Sequence, residues 1–269
     1  MNTSVLIISM ARCGSSVLYE LIKNNLGDRC IGFFEPEGIS FLETGVHSLE
    51  SENPVLAKFI LRPYLSLNRD LSKSFTKTIG LIRDPRDNLL SRLLFRMVSP
   101  KFIENPKVCR NLLPLLEKKL EMPHSVSMID LFRSIEATNL MEKMIDHRFQ
   151  ENLELYMQWH DSSKNAFIFP YEDFITNDLS SLGNYLEIAI KSSDSLKVVS
   201  PKIKRSGGMG EWRQWFTAED IDFFRPRMSS FMKRYGYADD WELPKVPVID
   251  PSTSIDYVKQ HAGLAGLVV

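Results

Sequence analysis

The chain has 269 residues, with 33 Lys+Arg against 34 Asp+Glu, a formal net charge of −1 and 43% apolar residues. These fractions belong to a folded globular protein and exclude wholesale disorder. The balanced charge excludes a broad polyanion binder, which needs an excess of Lys and Arg, so no nucleic-acid partner is expected; a local basic pocket is still allowed.

Ser4-Val-Leu-Ile-Ile-Ser9 is a short apolar run and reads as a buried strand of a parallel sheet. It is too short to span a bilayer and lacks a basic leader, so neither a membrane span nor a targeting segment is expected. The small-residue turn Ala11-Arg-Cys-Gly-Ser-Ser16 follows. Val17, Leu18, Leu21, Ile22 and Leu26 then recur at helical spacing, with Gly27 as the stop. Further strands are expected at Ile31–Phe34, Leu56–Leu61, Thr78–Ile82 and Ala166–Phe169. The fourth of them ends in Arg83-Asp-Pro-Arg-Asp87, where Asp84 is placed to cap a helix and Pro85 suits its first turn.

Residues 97–160 read as mostly helical, with breaks at Pro106, Pro114 and Pro123. Helices are also expected over Leu179–Ile190 and from Thr217 toward Lys233, with a basic glycine-containing loop from Lys202 to Gly210 between them. Alternating strands and helices give an α/β fold with a parallel sheet flanked by helices. One domain over residues 1–243, with 97–160 as a helical acceptor-side region, and a surface tail over 244–269 are expected. Three cysteines (Cys13, Cys30, Cys109) in no C-x-x-C spacing argue against a disulfide framework and a zinc site. They point to a reducing, cytoplasmic compartment.

Several constellations carry chemistry. Arg12-Cys-Gly-Ser-Ser16 stands between strand and helix, where unpaired N–H groups and partial positive charge seat a phosphate. Gly14 allows close backbone approach, and Arg12, Ser15 and Ser16 add side-chain donors. The bland alternative is a tight turn whose serines only cap the helix. The Walker pattern is absent, because no Gly-Lys-Ser/Thr follows. Arg83 sits at a strand end, where ligands gather in open α/β sheets, and a guanidinium there grips phosphate bidentately. Its alternative is a surface pairing with Asp84 or Asp87. Arg205-Ser-Gly-Gly-Met-Gly-Glu-Trp-Arg-Gln-Trp-Phe216 is a basic glycine-rich loop leading into an aromatic anchor, or simply a loop before a packing helix.

Taken together these elements resemble sulfotransferases that use 3′-phosphoadenosine-5′-phosphosulfate (PAPS), on the side of the carbohydrate-type and bacterial enzymes. Arg12, Cys13, Gly14, Ser15 and Ser16 resemble the loop that holds the 5′-phosphosulfate. Arg83 and Ser91, eight positions apart, match the Arg and Ser of the 3′-phosphate site. Arg205, Ser206 and Gly207 open a segment similar to the family's late Arg-Lys-Gly element, with Ser206 in place of the lysine. Phe169-Pro-Tyr-Glu-Asp173 resembles a segment whose Tyr, here Tyr171, contacts the adenine side. The resemblance implies a P-loop-like three-layer fold and PAPS as co-substrate, with no metal required. It also implies an acceptor that is a small metabolite, a sugar or a lipid-linked molecule.

The histidine that serves as base in the small-molecule branch has no counterpart. Lys58-Phe-Ile60 keeps only the lysine, which as a strand-end residue is expected to be solvated unless it shares the leaving-group role. Phe33-Phe-Glu-Pro-Glu37 resembles the Glu-Pro segment of carbohydrate-type enzymes, which makes Glu35 the first candidate base, then Glu37 and His47. Glu35 alternatively pairs with a pocket Arg. A carboxylate, with an ordinary pKa of roughly 4.3, needs burial or tight acceptor contact to act as a base. Arg12 is the candidate for stabilising the leaving phosphate. The competing readings are a P-loop kinase or hydrolase and a non-catalytic nucleotide-binding scaffold. O- or N-sulfonation and a homodimer remain open.

Overall fold

The computed structural model describes residues 3–37, 40–139, 143–191 and 208–261. They fall into two compact units interleaved along the chain: Met1–Arg83 with Leu155–Lys204, and Asp84–Glu154 with Arg205–Val269.

The first unit holds a five-stranded sheet with strands β1 (Ser4–Ser9), β2 (Ile31–Phe34), β3 (Val55–Ile60), β4 (Lys77–Ile82) and β5 (Phe167–Pro170), ordered β2-β3-β1-β4-β5. Every pairing is parallel, so all five carboxyl ends lie on one rim. All five strands expected from the sequence are present. β1 is buried along its whole length, as the apolar run requires of a central strand covered on both faces. Helix α1 (Ser15–Leu26) returns from β1 and stops at Gly27. The short helix α2 (Leu61–Leu65) follows β3 directly.

The second unit begins with α3 (Pro85–Met97), where Asp84 caps through its side chain and Pro85 takes the first turn. The helices α4 (Pro100–Ile103), α5 (Pro106–Glu121) and α6 (Met128–Glu136) follow. Helix α7 (Arg148–Ser162) carries the chain back to the sheet unit, where Tyr156 and Trp159 pack on Gly80 of β4. A Cβ at Gly80 would stand 2.5 Å from the Tyr156 hydroxyl, which is why mid-strand position 80 carries no side chain. After β5 come α8 (Tyr171–Ile175) and α9 (Ser180–Leu186). The second unit resumes with α10 (Trp212–Trp215), α11 (Ala218–Tyr235) and α12 (Ile255–His261). Among the described residues no helix is long and apolar enough to cross a membrane.

Three expectations change. Pro106 opens a helix and Pro123 a short 3-10 turn, but Pro114 lies inside α5 without breaking it. A helix tolerates an internal proline when packing outweighs the lost hydrogen bond, and buried Leu112, Leu113 and Leu116 supply that packing. The helix expected to reach Ile190 ends at Leu186, because Glu187 turns into the left-handed region at φ 58°. Its carboxylate is held 2.6 Å from Lys77. The surface tail expected from residue 244 is a packed segment through His261. Ile249, Ile255, Tyr257 and Val258 are buried, and Lys259 pairs with Glu117 of α5 at 2.9 Å. Pro and Ser content marked the turns of this segment and hid its apolar face.

Candidate functional site at the carboxyl rim of the sheet

The site grows from the turn between β1 and α1. Arg12 has φ 69° and Gly14 has φ 89°, so the backbone bends sharply twice in three residues. Asn takes such values readily, and three of the six non-glycine positive-φ residues among those described are Asn. Arg12 and Glu35 (φ 45°) are not, and backbone strain of this kind gathers at functional sites. Gly14 caps α1 with its carbonyl, which accepts from Val17 N at 3.0 Å and Leu18 N at 3.2 Å. No side chain caps the helix start. Ser15 and Ser16 therefore lie within the first turn and are not its caps, and the turn's leading N–H groups keep their donor capacity. Cys13 is buried and in no disulfide.

Gly14 has a second reason to be glycine. A Cβ there would stand 2.6 Å from the Tyr171 ring. Tyr171 follows β5 and is itself buried. Its ring also lies under the Arg83 guanidinium, 4.3 Å from centroid to Cζ. Arg83 Nη1 donates to the Arg12 carbonyl at 3.2 Å. The ends of three adjacent strands, β1, β4 and β5, thus bring Arg12, Gly14, Arg83 and Tyr171 together. Arg83 is buried, where its alternative reading placed it at the surface.

On the other side of β1, β3 supplies Lys58, in register with Ile7 of β1 and Phe34 of β2. Its side chain is 1% exposed, against the expectation of a solvated lysine. The parallel register turns it inward, and Lys58 Nζ donates to Glu35 Oε1 and, at 3.3 Å, to Ser16 Oγ. The ammonium also lies over the Phe34 ring, 4.3 Å from the centroid. Burial pushes the Lys58 ammonium below the ordinary lysine range; the Glu35 hydrogen bond and charge oppose this, and Arg12 adds to the lowering. The pocket ion pair considered for Glu35 exists, with Lys58 in place of an Arg. Glu35 follows β2 directly, its N–H donating to the Lys58 carbonyl at 2.9 Å. Its side chain is 44% exposed, open on one face and paired on the other. Glu37 and His47 are exposed, and the carboxylate that reaches Lys58 is that of Glu35.

Ser91 is a buried residue of α3 in the second unit. Arg205, Ser206 and Gly207 lie outside the described residues. Sequence reading missed the depth of Lys58, the Phe34 platform and the Tyr171–Gly14 contact. For Lys58 a signal was present: a lysine inside the apolar run Val55–Ile60 is a lysine that folding must bury and pair.

A crystal structure of the mouse sulfotransferase SULT7A1 complexed with PAP (3′-phosphoadenosine 5′-phosphate) is similar to this chain. The TM-score is 0.55 at 15% identity, with 86% of this chain and 85% of that chain covered. The fold is that of a sulfotransferase. No protein-family model matches the chain. No curated protein sequence matches it either. The sulfotransferase fold is therefore legible in three dimensions and in short motifs, not in overall sequence similarity.

Proposed function

We propose that the protein is a PAPS-dependent sulfotransferase that moves a sulfonyl group to a hydroxyl or amine of a small metabolite, a sugar or a lipid-linked acceptor. One observation carries this reading: Arg12, Lys58 and Arg83 converge on one sheet rim with the start of α1, which no side chain caps. Three cationic side chains and a row of N–H donors fit a phosphosulfate and its nucleotide. The bare Cα of Gly14 admits the Tyr171 ring, which lies under the Arg83 guanidinium at the same rim. The mouse protein of the same fold is complexed with PAP, which supports this choice of ligand over ATP.

In this reading PAPS, when bound, supplies the sulfonyl group and a phosphate leaving group. Arg12 and the α1 N–H groups hold the phosphosulfate end and stabilise charge developing there. Arg83 holds the 3′-phosphate, with Tyr171 fixing its guanidinium. Roles for Ser91, Arg205, Ser206 and Gly207 at the 3′-phosphate rest on motif resemblance. Glu35 takes the acceptor's proton through its open face. A reducing cytoplasmic setting belongs to the same reading.

Calorimetric titration with PAP and with ATP–magnesium tests it, together with mass-spectrometric detection of sulfonated products from candidate acceptors. PAP binding and PAPS-dependent transfer are expected. Tight ATP–magnesium binding without PAP binding would favour a kinase or hydrolase. PAP binding with no transfer to any acceptor class would favour a nucleotide-binding scaffold. Arg83→Ala should weaken PAP binding by about 10- to 100-fold, the loss of one charge-assisted bidentate contact. Unchanged affinity would remove Arg83 from the nucleotide site.

A further inference from the structure

Lys58 has three N–H donors and three partners. One is Glu35 Oε1, one is Ser16 Oγ at 3.3 Å, and one is the π face of Phe34 at 4.3 Å. All three directions are taken. The ammonium therefore has nothing to offer a nucleotide oxygen until one contact is released. Ser16 and Phe34 are neutral and do not change during the reaction. Glu35 is the one partner whose charge the chemistry would alter.

Resting on the sulfotransferase reading, we propose that Glu35 and Lys58 form a proton-gated pair: the acceptor's proton, taken up by Glu35, releases the Lys58 ammonium toward the leaving phosphate oxygen. The balance is as follows. The acceptor O–H or N–H gives its proton to the Glu35 carboxylate, and its lone pair forms the new bond to sulfur. The bond from sulfur to the phosphate oxygen breaks, and its electron pair stays on that oxygen. Lys58 keeps all of its protons and turns one N–H from the neutralised Glu35 to the new anion. Glu35 then returns its proton to water through its open face, and the pair re-forms.

The geometry gives the gate a direction. Lys58 is buried and Glu35 is half-exposed, so the acceptor reaches the carboxylate and not the amine. Burial and the nearby Arg12 both disfavour the ammonium, and Glu35 is what holds it charged. Once Glu35 is neutral, a nearby phosphate anion is the partner that ammonium most requires. Without an acceptor Glu35 stays ionised, Lys58 stays engaged and the leaving group lacks this donor. The pair thereby protects the donor nucleotide from transfer to water.

The test is a double-mutant cycle read as PAP affinity by calorimetry, with the full-length protein, independent of turnover. Lys58→Met should leave PAP binding within about twofold of wild type, because the engaged ammonium offers no donor to a nucleotide oxygen. Glu35→Gln, which makes the release permanent, should tighten it by about 3- to 10-fold. In the double variant the Glu35→Gln gain should vanish, because it acts through the ammonium. Thermal melts confirm that each variant is folded. Should Lys58→Met fail to fold, Lys58→Gln takes its place in the cycle. As a second readout, Glu35→Gln should hydrolyse PAPS faster than wild type when no acceptor is present. Wild-type PAP binding that Glu35→Gln leaves unchanged or weakens overturns the gate alone, as does a gain that persists without Lys58. Absence of PAP binding in the wild type overturns the sulfotransferase reading and the gate with it.

Discussion

Among the described residues a lysine is buried near a carboxylate twice, and the two pairs are built for opposite ends. In the helical unit, Lys119 donates to two backbone carbonyls, Pro123 O at 2.5 Å and Val126 O at 2.6 Å. Asp220 accepts from three backbone N–H groups, Met128 at 2.9 Å, Ile129 at 3.1 Å and Thr217 at 2.8 Å. It thereby joins the starts of α6 and α11, completing the capping box of α11 with Thr217. Apart from the Thr217 hydroxyl, which donates to Asp220 Oδ2 at 3.1 Å, the hydrogen-bond partners are main chain, which cannot move without unfolding. On the sheet rim, Lys58 and Glu35 are partnered by each other and by the Ser16 side chain, and one face of Glu35 is open. Side-chain partners can be exchanged for a ligand; backbone partners cannot. A buried charge alone thus says little about function, and the nature of its partners says much.

Substitutions that remove one member of each pair sharpen this contrast. The largest effect expected is on turnover: Glu35→Gln should lower it by about 10²- to 10⁴-fold, the usual worth of a general base, with a melting temperature close to wild type. A fully active variant would move the base to Glu37, His47 or another group. Next, Asp220→Ala should cost about 3–5 kcal/mol in chemical denaturation, because three buried N–H groups lose their acceptor and Lys119 loses its nearest anion. A cost below ~1 kcal/mol would show that water replaces the carboxylate, and that the two pairs are less different than their partners imply.

The smallest effect is a pH dependence. Burial holds the Lys119 ammonium down to about 8, against the ordinary lysine value of 10.5. Between pH 8 and 10.5 the unfolded chain therefore carries a proton that the folded chain has given up, so stability rises with pH through that window, by at most ~1.4 kcal/mol per unit. Tyr19 and Tyr64, pushed up to about 12 by burial, act in the opposite sense above pH 10. Denaturation midpoints measured from pH 8 to 10 should climb in the wild type and climb less in Lys119→Met. Equal slopes would assign the rise to other groups, Lys58 among them.

The strands were readable because each is a short apolar run bounded by Gly, Pro or charge, and hydrophobic periodicity is the strongest local signal. The caps at Asp84 and Thr217 were readable for the same local reason. The strand-to-helix turn at Arg12–Ser16 and the strand-end place of Arg83 were readable from the same boundaries. What escaped was set by tertiary contact. The burial of Lys58 depends on the parallel register of β3 between β1 and β2, which no local pattern encodes. The persistence of α5 through Pro114 and the packing of α12 depend on apolar faces that sequence composition averages away. Glu35 was reached by resemblance to a Glu-Pro segment, while its partner was hidden by the assumption that lysines seek water.

The contact between Tyr171 and Gly14 sets an order of events in folding. The β1 strand, the turn and α1 are local and form from the first segment of the chain alone. The wall of that turn arrives only when β5 adds to the far edge of the sheet and carries Tyr171 under the Arg83 guanidinium that follows β4. Contacts of such long sequence separation close late, because the loop between them must first lose its freedom. A nascent chain ending before β5 would have the Arg12–Ser16 turn in sequence but not its Tyr171 wall. If the proposed function holds, nucleotide affinity appears only when β5 has joined the sheet, and PAP binding would report completion of the fold.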